Sequence, residues 1–333
     1  MLSNDVLELA RRSFPGAISG GFDVLPIEKG GSGRQFFRVR AAAGHSLIVV
    51  SYHHGREENK HYVDLARFLA EVGVNVPTVY HHDPDQRLIF MEDLGETDLW
   101  HYRNEQWSEL SALYRSAVQQ MVRLHAGAAP QLPSSRLKLQ LEFDQQLYLW
   151  EQNYFFENCL QAVFQVPPAQ AHELASLPRL QEAAKELAGL PRVIVHRDFQ
   201  SQNVLIDRGS AWLIDFQGMR PGLPQYDLAS LVYDPYVNLL PQQREEVIEA
   251  YREEAEMAGL GFPADFGEIL DLCAMQRLMQ ALGAYGFLGL QQQRPDFLQH
   301  VAPARENLLT ILLRISGLEP LHETLQALPV HHG

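Results

Sequence analysis

His196-Arg197-Asp198-Phe199-Gln200-Ser201-Gln202-Asn203 is the stretch on which the reading of the whole chain turns. A carboxylate at Asp198 is followed, after four intervening residues, by a side-chain amide at Asn203. That spacing suits a short loop in which the carboxylate takes the proton of an attacking hydroxyl while the amide oxygen holds a metal on nucleotide phosphates. Twelve residues beyond Asn203, Leu213-Ile214-Asp215-Phe216-Gln217 supplies a second carboxylate, Asp215, placed to bind the same metal. Between the two motifs, Val204 to Ile206 and Trp212 to Ile214 flank Asp207-Arg208-Gly209-Ser210-Ala211, which predicts a hairpin turned at Gly209. Asp198 and Asn203 alone fit an Asx turn equally well, and Asp215 alone fits a strand-end cap. Together, and followed by Tyr226-Asp227-Leu228-Ala229, they point to phosphoryl transfer. His196 is expected to pack under the loop and fix its shape, because the neighbouring carboxylate suffices as base.

Upstream, residues 21–92 are rich in strand patterns: alternation in Gln35 to Arg40, an apolar run from Leu47 to Tyr52 and another from Arg87 to Met91. One helix interrupts them between Arg56 and Val72, where Leu65, Phe68, Leu69 and Val72 recur at three- and four-residue spacing and Gly73 supplies the stop. Lys29-Gly30-Gly31-Ser32-Gly33-Arg34 departs from G-x-G-x-x-G but forms a turn between two strands, whose backbone amides suit phosphates. Phe90-Met91-Glu92-Asp93-Leu94 reads as a hinge, with backbone groups near Glu92 and Leu94 meeting an adenine. Downstream the patterns are long and helical: Trp107 to Ala126, Gln145 to Phe164, Pro241 to Ala258 and Phe266 to Leu288. The expected division is a nucleotide-binding lobe over residues 1–94 and a catalytic and acceptor-binding lobe over residues 95–333.

The 333 residues carry a formal net charge of -14, which argues against a nucleic-acid or anionic-membrane surface built on clustered Lys and Arg. Met1 to Phe14 reads as a short amphipathic helix capped by Ser3, too charged for a signal peptide. No membrane-spanning run of about 18 uncharged apolar residues occurs, so a soluble cytoplasmic protein with no obligate protein partner is expected. Cys159 and Cys273 fall in helical patterns and read as buried free thiols, and the His pairs at 53–54, 81–82 and 331–332 as solvated surface without metal-ligand spacing.

The chain resembles the aminoglycoside phosphotransferase and choline kinase group, and within it most closely the branch of sugar kinases acting on the anomeric hydroxyl of N-acetylmuramate and N-acetylglucosamine. The residues that carry the likeness are Gln35-Phe36-Phe37-Arg38-Val39, Glu92-Asp93-Leu94-Gly95, Val195 to Asn203, Ile214 to Gln217, Tyr226-Asp227-Leu228, and Met275-Gln276-Arg277 to Leu282-Gly283. The resemblance implies an α+β, protein-kinase-like two-lobe fold, with a small β-rich lobe and a larger, mainly helical one. It also implies ATP or another nucleoside triphosphate with Mg2+, Asp198 as catalytic base, Asn203 and Asp215 as metal ligands, and Asp227 bracing the catalytic loop from below. One departure stands out: strand Leu47 to Tyr52 lacks the lysine that should pair the α- and β-phosphates with a helix glutamate. Glu57 and Glu58 stand where that glutamate belongs, and Arg34, Arg56 and Lys60 are the candidate cations.

Only eleven residues, with Pro221 and Pro224 among them, separate Asp215 from Asp227, which leaves no platform for a peptide. A small acceptor in a helix-lined pocket is therefore expected, walled by residues 145–157 and the final helices, with Glu151, Gln276 and Arg277 setting specificity. Asp144, Glu151, Tyr154, Phe155, Phe156 and Glu157 offer the carboxylates and aromatics a cationic acceptor needs, so acidity does not decide between a sugar and a cation. Aminoglycoside, choline or homoserine kinases, or a nucleotide-sensing pseudokinase, are thus the alternatives.

Overall fold

The computed structural model describes residues 22–27, 34–41, 44–52, 61–131, 137–262 and 264–329. The expected helix at Met1 to Phe14, the glycine turn Gly30-Gly31-Ser32-Gly33, the candidate cations Arg56 and Lys60, the acids Glu57 and Glu58, and the His pairs at 53–54 and 331–332 lie outside those residues.

Five strands form one antiparallel sheet: β1 (Phe22–Ile27), β2 (Gln35–Ala41), β3 (Ser46–Ser51), β4 (Val79–Asp83) and β5 (Leu88–Glu92), in the order β1-β2-β3-β5-β4. Ile48 and Val50 of β3 join the main core, whereas Leu47 and Val49 pack with Phe37, Leu88 and Phe90 on the opposite face. A strand buried on both faces reads as a continuous apolar run, as Leu47 to Val50 does. Helix α1 (Tyr62–Glu71) lays Leu65, Phe68 and Leu69 against this sheet and stops where Gly73 takes φ +83, a conformation glycine adopts without a Cβ clash. Strand β4 escapes the sequence pattern because it is an edge strand whose Tyr80 and His81 face water.

The rest is mainly helical: α2 (Trp107–Gln131), α3 (Gln145–Phe155), α4 (Pro168–Ala175), α5 (Pro178–Ala188), α6 (Pro224–Val232), α7 (Pro241–Met257), α8 (Phe266–Gly286), α9 (Val301–Leu312) and α10 (Glu319–Ala327). Two small antiparallel pairs sit among the helices, β6 (Val193–Val195) with β9 (Arg220–Gly222) and β7 (Val204–Asp207) with β8 (Ser210–Leu213). The β7–β8 turn is two residues long, Arg208 and Gly209, with φ of 49° and 77°. Positive φ at both positions suits the right-handed twist of the hairpin.

Helix α8 is buried on almost every face, the mark of a central helix, and packs against α3, α6 and α9. Its glycines explain how closely it approaches α3. A Cβ at Gly283 would lie 2.8 Å from the Tyr154 carbonyl oxygen, and one at Gly286 would lie 1.9 Å from that of Asn158. The helical run expected to continue to Phe164 instead widens into a π-helical turn over Phe156–Gln161, and α8 ends similarly over Phe287–Gln291. Among the described residues no helix is long and apolar enough to cross a membrane, and Cys159 and Cys273 are buried and free.

Candidate active site

Strand β6, buried and paired with β9, delivers the chain into the loop that begins at His196, and buried carboxylates pin that loop in place. Asp227, in the first turn of α6, accepts the His196 backbone N–H at Oδ2 (2.6 Å) and the Arg197 backbone N–H at Oδ1 (2.8 Å). Oδ2 also lies 3.1 Å from His125 Nε2, and His125 Nδ1 lies 2.9 Å from the Tyr251 hydroxyl. Asp234 accepts the Ser201 N–H at 2.7 Å. His196 turns inward: its Nε2 donates to the Ile214 carbonyl at 3.0 Å, and its ring meets Phe199 edge to face. The loop is thereby tied to the residue preceding Asp215.

Asp198 is the carboxylate this frame presents, with its side chain 27% exposed. Arg197 Nη1 lies 3.2 Å from its Oδ2, and Arg277 Nη2 lies 3.5 Å from its Oδ1. Burial pushes the Asp198 pKa up, but the positive charge of Arg197, then Arg277, His196 and Arg220, outweighs it and holds the carboxyl below its ordinary value. An ionised carboxylate is the form that accepts a proton.

Asn203 and Asp215 stand at the two ends of the β7–β8 hairpin. The Asn203 side chain donates its Nδ2 to the Asp198 carbonyl (2.9 Å), and its backbone carbonyl accepts the Ile214 N–H (3.0 Å). Asp215, in the left-handed region at φ 63°, receives Gln217 Nε2 at 2.8 Å and Arg34 Nη2, both on Oδ1. Among the described residues Asn203 Oδ1 and Asp215 Oδ2 accept no hydrogen bond. Two unclaimed hard oxygens on adjoining backbone fit a magnesium ion completed by phosphate and water oxygens.

Arg34 comes from the sheet side, just ahead of β2. It pairs with Asp215, donates to Gln217 Oε1 at 3.1 Å, and lies 6.0 Å from the Tyr62 ring centroid. Tyr62 of α1 in turn stacks on Phe216 at 4.8 Å. Of the three candidate cations it is the one among the described residues, and it sits at the carboxylate of the metal pair.

At the hinge, the Glu92 N–H is taken by the Thr78 carbonyl (2.9 Å), and its Oε2 accepts the Thr78 N–H (3.1 Å). Leu94 is buried. Sequence reading gave Arg38 no role of its own, yet this guanidinium, 3% exposed within a strand, organises the segment. It holds Asp93 through two bonds of 2.7 and 3.0 Å, reaches the Gly95 carbonyl at 3.0 Å and pairs with Glu96.

On the other side of Asp198, Arg277 of α8 donates to Ser230 Oγ (2.9 Å), to Gln200 Oε1 (3.2 Å) and to Gln280. Glu151 and Gln276, expected beside it, lie beneath the site at 0% exposure. Glu151 Oε1 accepts the Tyr226 hydroxyl at 3.0 Å, while among the described residues its Oε2 and both amide atoms of Gln276 have no hydrogen-bond partner. Burial lifts the Glu151 pKa from 4.5 to about 7 against the pull of Arg197, Tyr226, Arg277 and Arg220. Arg220 was not singled out by its sequence; a lone arginine after Gly218-Met219 carries no signal of its own. Toward the outer end of α3, Trp150 stacks on Tyr154 (5.0 Å), whose ring faces Phe287 (6.0 Å).

The chain is 24% identical to the N-acetylmuramate/N-acetylglucosamine kinase of Pseudomonas aeruginosa, covering 92% of this chain and 89% of that one. It is 25% identical to the protein of that name in Neisseria meningitidis, covering 88% and 86%. In structure it is similar to a choline/ethanolamine kinase family protein from Mesorhizobium loti, with a TM-score of 0.62 at 18% identity over 98% of this chain and 99% of that one. That likeness gives a protein-kinase-like fold, its small antiparallel sheet set against a helical lobe. Residues 23–260 match the APH phosphotransferase enzyme family, the greater part of the chain, and the protein belongs to that family as a small-molecule phosphotransferase.

Proposed function

We propose that the protein transfers the γ-phosphoryl group of ATP to the anomeric hydroxyl of an amino sugar, N-acetylmuramate or N-acetylglucosamine. The observation that carries the reading is Asp198, held on a clamped loop, kept ionised by the arginines around it and tied to the metal pair through the Asn203 bond to its carbonyl. The sugar is supported by two relatives named as kinases of it, matched along 89% and 86% of their lengths.

In this reading Asp198 accepts the proton of the acceptor hydroxyl, the oxygen attacks the γ-phosphorus in line, and the bond to the ADP oxygen breaks. An anomeric hydroxyl is more acidic than an ordinary sugar alcohol, so one aspartate in a loose transition state is sufficient help. Asn203 Oδ1 and Asp215 Oδ2 hold Mg2+, which neutralises phosphate charge when bound. Arg34 supplies the cation that β3 lacks, with the backbone of Gly30, Gly31, Ser32 and Gly33 along the phosphates. Because the Glu92 N–H is occupied, the adenine meets the Glu92 carbonyl and the Leu94 backbone. His196 and Asp227 shape the loop and touch neither substrate.

Incubation with magnesium, ATP and each sugar, followed by phosphorus–proton NMR correlation of the product, tests both halves of the proposal. A 1-phosphate is expected. A 6-phosphate would remove the anomeric assignment, and turnover of only choline, homoserine or aminoglycosides would remove the sugar.

A further inference from the structure

Beside Asp198 the site gathers more positive charge than the chemistry of a base requires. Arg220, at the start of β9, donates Nε to the Gly218 carbonyl at 3.3 Å, and its guanidinium lies 5.3 Å from the Phe143 ring centroid. Among the described residues it forms no ion pair with a carboxylate, and its Nη1 and Nη2 donate to nothing. Arg197 flanks the same glycine, its Cδ 3.7 Å from where a Gly218 Cβ would be. Arg277 closes the group from α8 through its contact with Asp198.

We propose that Arg220, Arg197 and Arg277 form a carboxylate-binding subsite beside Asp198, so that the preferred acceptor is an acidic sugar. This rests on the sugar-kinase reading above. Of the two sugars named there, N-acetylmuramate carries an ether-linked lactate ending in a carboxylate, and N-acetylglucosamine has none.

Three further observations support it. First, Arg220 is unanswered where its neighbours are not: among the described residues Arg197 and Arg277 reach Asp198, whereas the Arg220 Nη1 and Nη2 donate to nothing, and Glu151 is a buried carboxyl whose pKa of about 7 leaves it only partly charged at neutral pH. Burial and the neighbouring Arg197 both pull the Arg220 pKa down, as expected of positive charges crowded together. Second, Arg197 takes φ 80°, a left-handed backbone conformation that strains an arginine and that a glycine would adopt freely. The side chain at this position therefore returns something the backbone does not. Third, the cluster is on the acceptor side. The charged groups acting on Arg220 are Arg197, Glu151, Tyr226 and Asp198, while the metal carboxylate Asp215 has its own cation in Arg34. A cationic acceptor such as choline or an aminoglycoside would meet like charge here, whereas the chain as a whole carries a net charge of -14. Guanidinium groups match a carboxylate through paired N–H donors.

The test is kcat/KM measured on matched acid and neutral sugars, N-acetylmuramate against N-acetylglucosamine and glucuronate against glucose, for the wild type, Arg220→Gln and Arg220→Lys. The wild type should favour the acid member of a pair. Arg220→Gln should lose at least about tenfold more on the acid than on the neutral sugar, mainly in KM, with partial recovery in Arg220→Lys. Equal losses on both members would place Arg220 on the transferred phosphoryl group and overturn the subsite, as would a wild-type preference for neutral or cationic acceptors. Turnover of glucuronate but of neither amino sugar would overturn the function proposed above while leaving the carboxylate subsite standing.

Discussion

At the scale of single residues, the chemistry divides between groups whose roles lie in a local motif and groups assembled from distant parts of the chain. Asp198, Asn203 and Asp215 were legible as a group because a short hairpin folds the chain back between Asn203 and Asp215, and Asp198 lies in the loop just before Asn203. Asp198→Asn keeps size and shape but removes the proton acceptor. It should lower kcat by at least about a hundredfold with nucleotide affinity near normal, read from steady-state kinetics beside calorimetry. Undiminished turnover would move the base elsewhere. Arg220 and Arg38 were not legible, because nothing near them in sequence names the Phe143 ring or Asp93 as neighbours. Glu151 was singled out as a wall residue, and its burial makes a separate prediction. Its folded pKa of about 7 lies above the 4.5 of the exposed group, so between those values the folded chain holds a proton the unfolded chain has released. Stability therefore falls as pH rises through that window, by up to about 3 kcal/mol, and is level above it. Glu151→Gln can still accept from Tyr226 but cannot ionise, so its advantage over the wild type should grow between pH 5 and pH 8 in urea melts. Parallel pH profiles for the two proteins would show that Glu151 titrates alike in both states.

At the scale of elements, long periodic segments and apolar runs declared themselves, and the elements that did not have physical reasons. Strand β4 is a solvated edge, so it lacks the apolar run that marks β3 and β5. Helices α4 and α5 are only 8 and 11 residues long, too short for the 3.6-residue period to repeat many times, although Pro168 and Pro178 at their first positions are the available signal. The ends of α3 and α8 were over-extended because a π-helical turn keeps the apolar character of the helix it widens. The packing of these two helices carries its own prediction. Gly286 admits no side chain, since a Cβ there would lie 1.9 Å from the Asn158 carbonyl oxygen, a backbone atom that cannot rotate away. Gly286→Ala should cost about 2 kcal/mol or more through displacement of the turn after α3, measured as a lower urea midpoint. A midpoint unchanged from wild type would mean that the two backbones separate at little cost.

At the scale of the whole molecule, the two-lobe organisation was legible from the change of pattern near Leu94, whereas the contacts that bind the lobes to each other were not. Two cations from strands or strand edges make some of those contacts. Arg38 fastens β2 to Asp93 and Gly95 where the chain leaves the sheet, and Arg34 crosses to Asp215 and Gln217 in the helical lobe. The sheet side is also joined to the helical lobe through α1, whose Tyr62 lies on Phe216 beside the same Asp215, and through Asn75, whose carbonyl accepts the Leu213 N–H and whose Nδ2 donates to the Ala211 carbonyl. The proposed nucleotide and metal site is therefore also a seam of the fold, and whatever fills it should stabilise both lobes together. A ligand that binds only the folded state, present at a hundred times its Kd, adds about 2.7 kcal/mol. Magnesium with ATP should raise the melting temperature of the wild type by several degrees, and ATP with a chelator should raise it far less, because the phosphates then lack their link to Asn203 and Asp215. Asp215→Ala should abolish the magnesium-dependent part of the shift. Arg34→Ala, which leaves both metal oxygens in place, should retain a reduced shift and raise the KM for ATP. A full magnesium-dependent shift in Asp215→Ala would put the metal on other residues. An undiminished shift and KM in Arg34→Ala would leave the phosphates to the glycine turn and the metal, with the Arg34–Asp215 pair serving only to hold the lobes together.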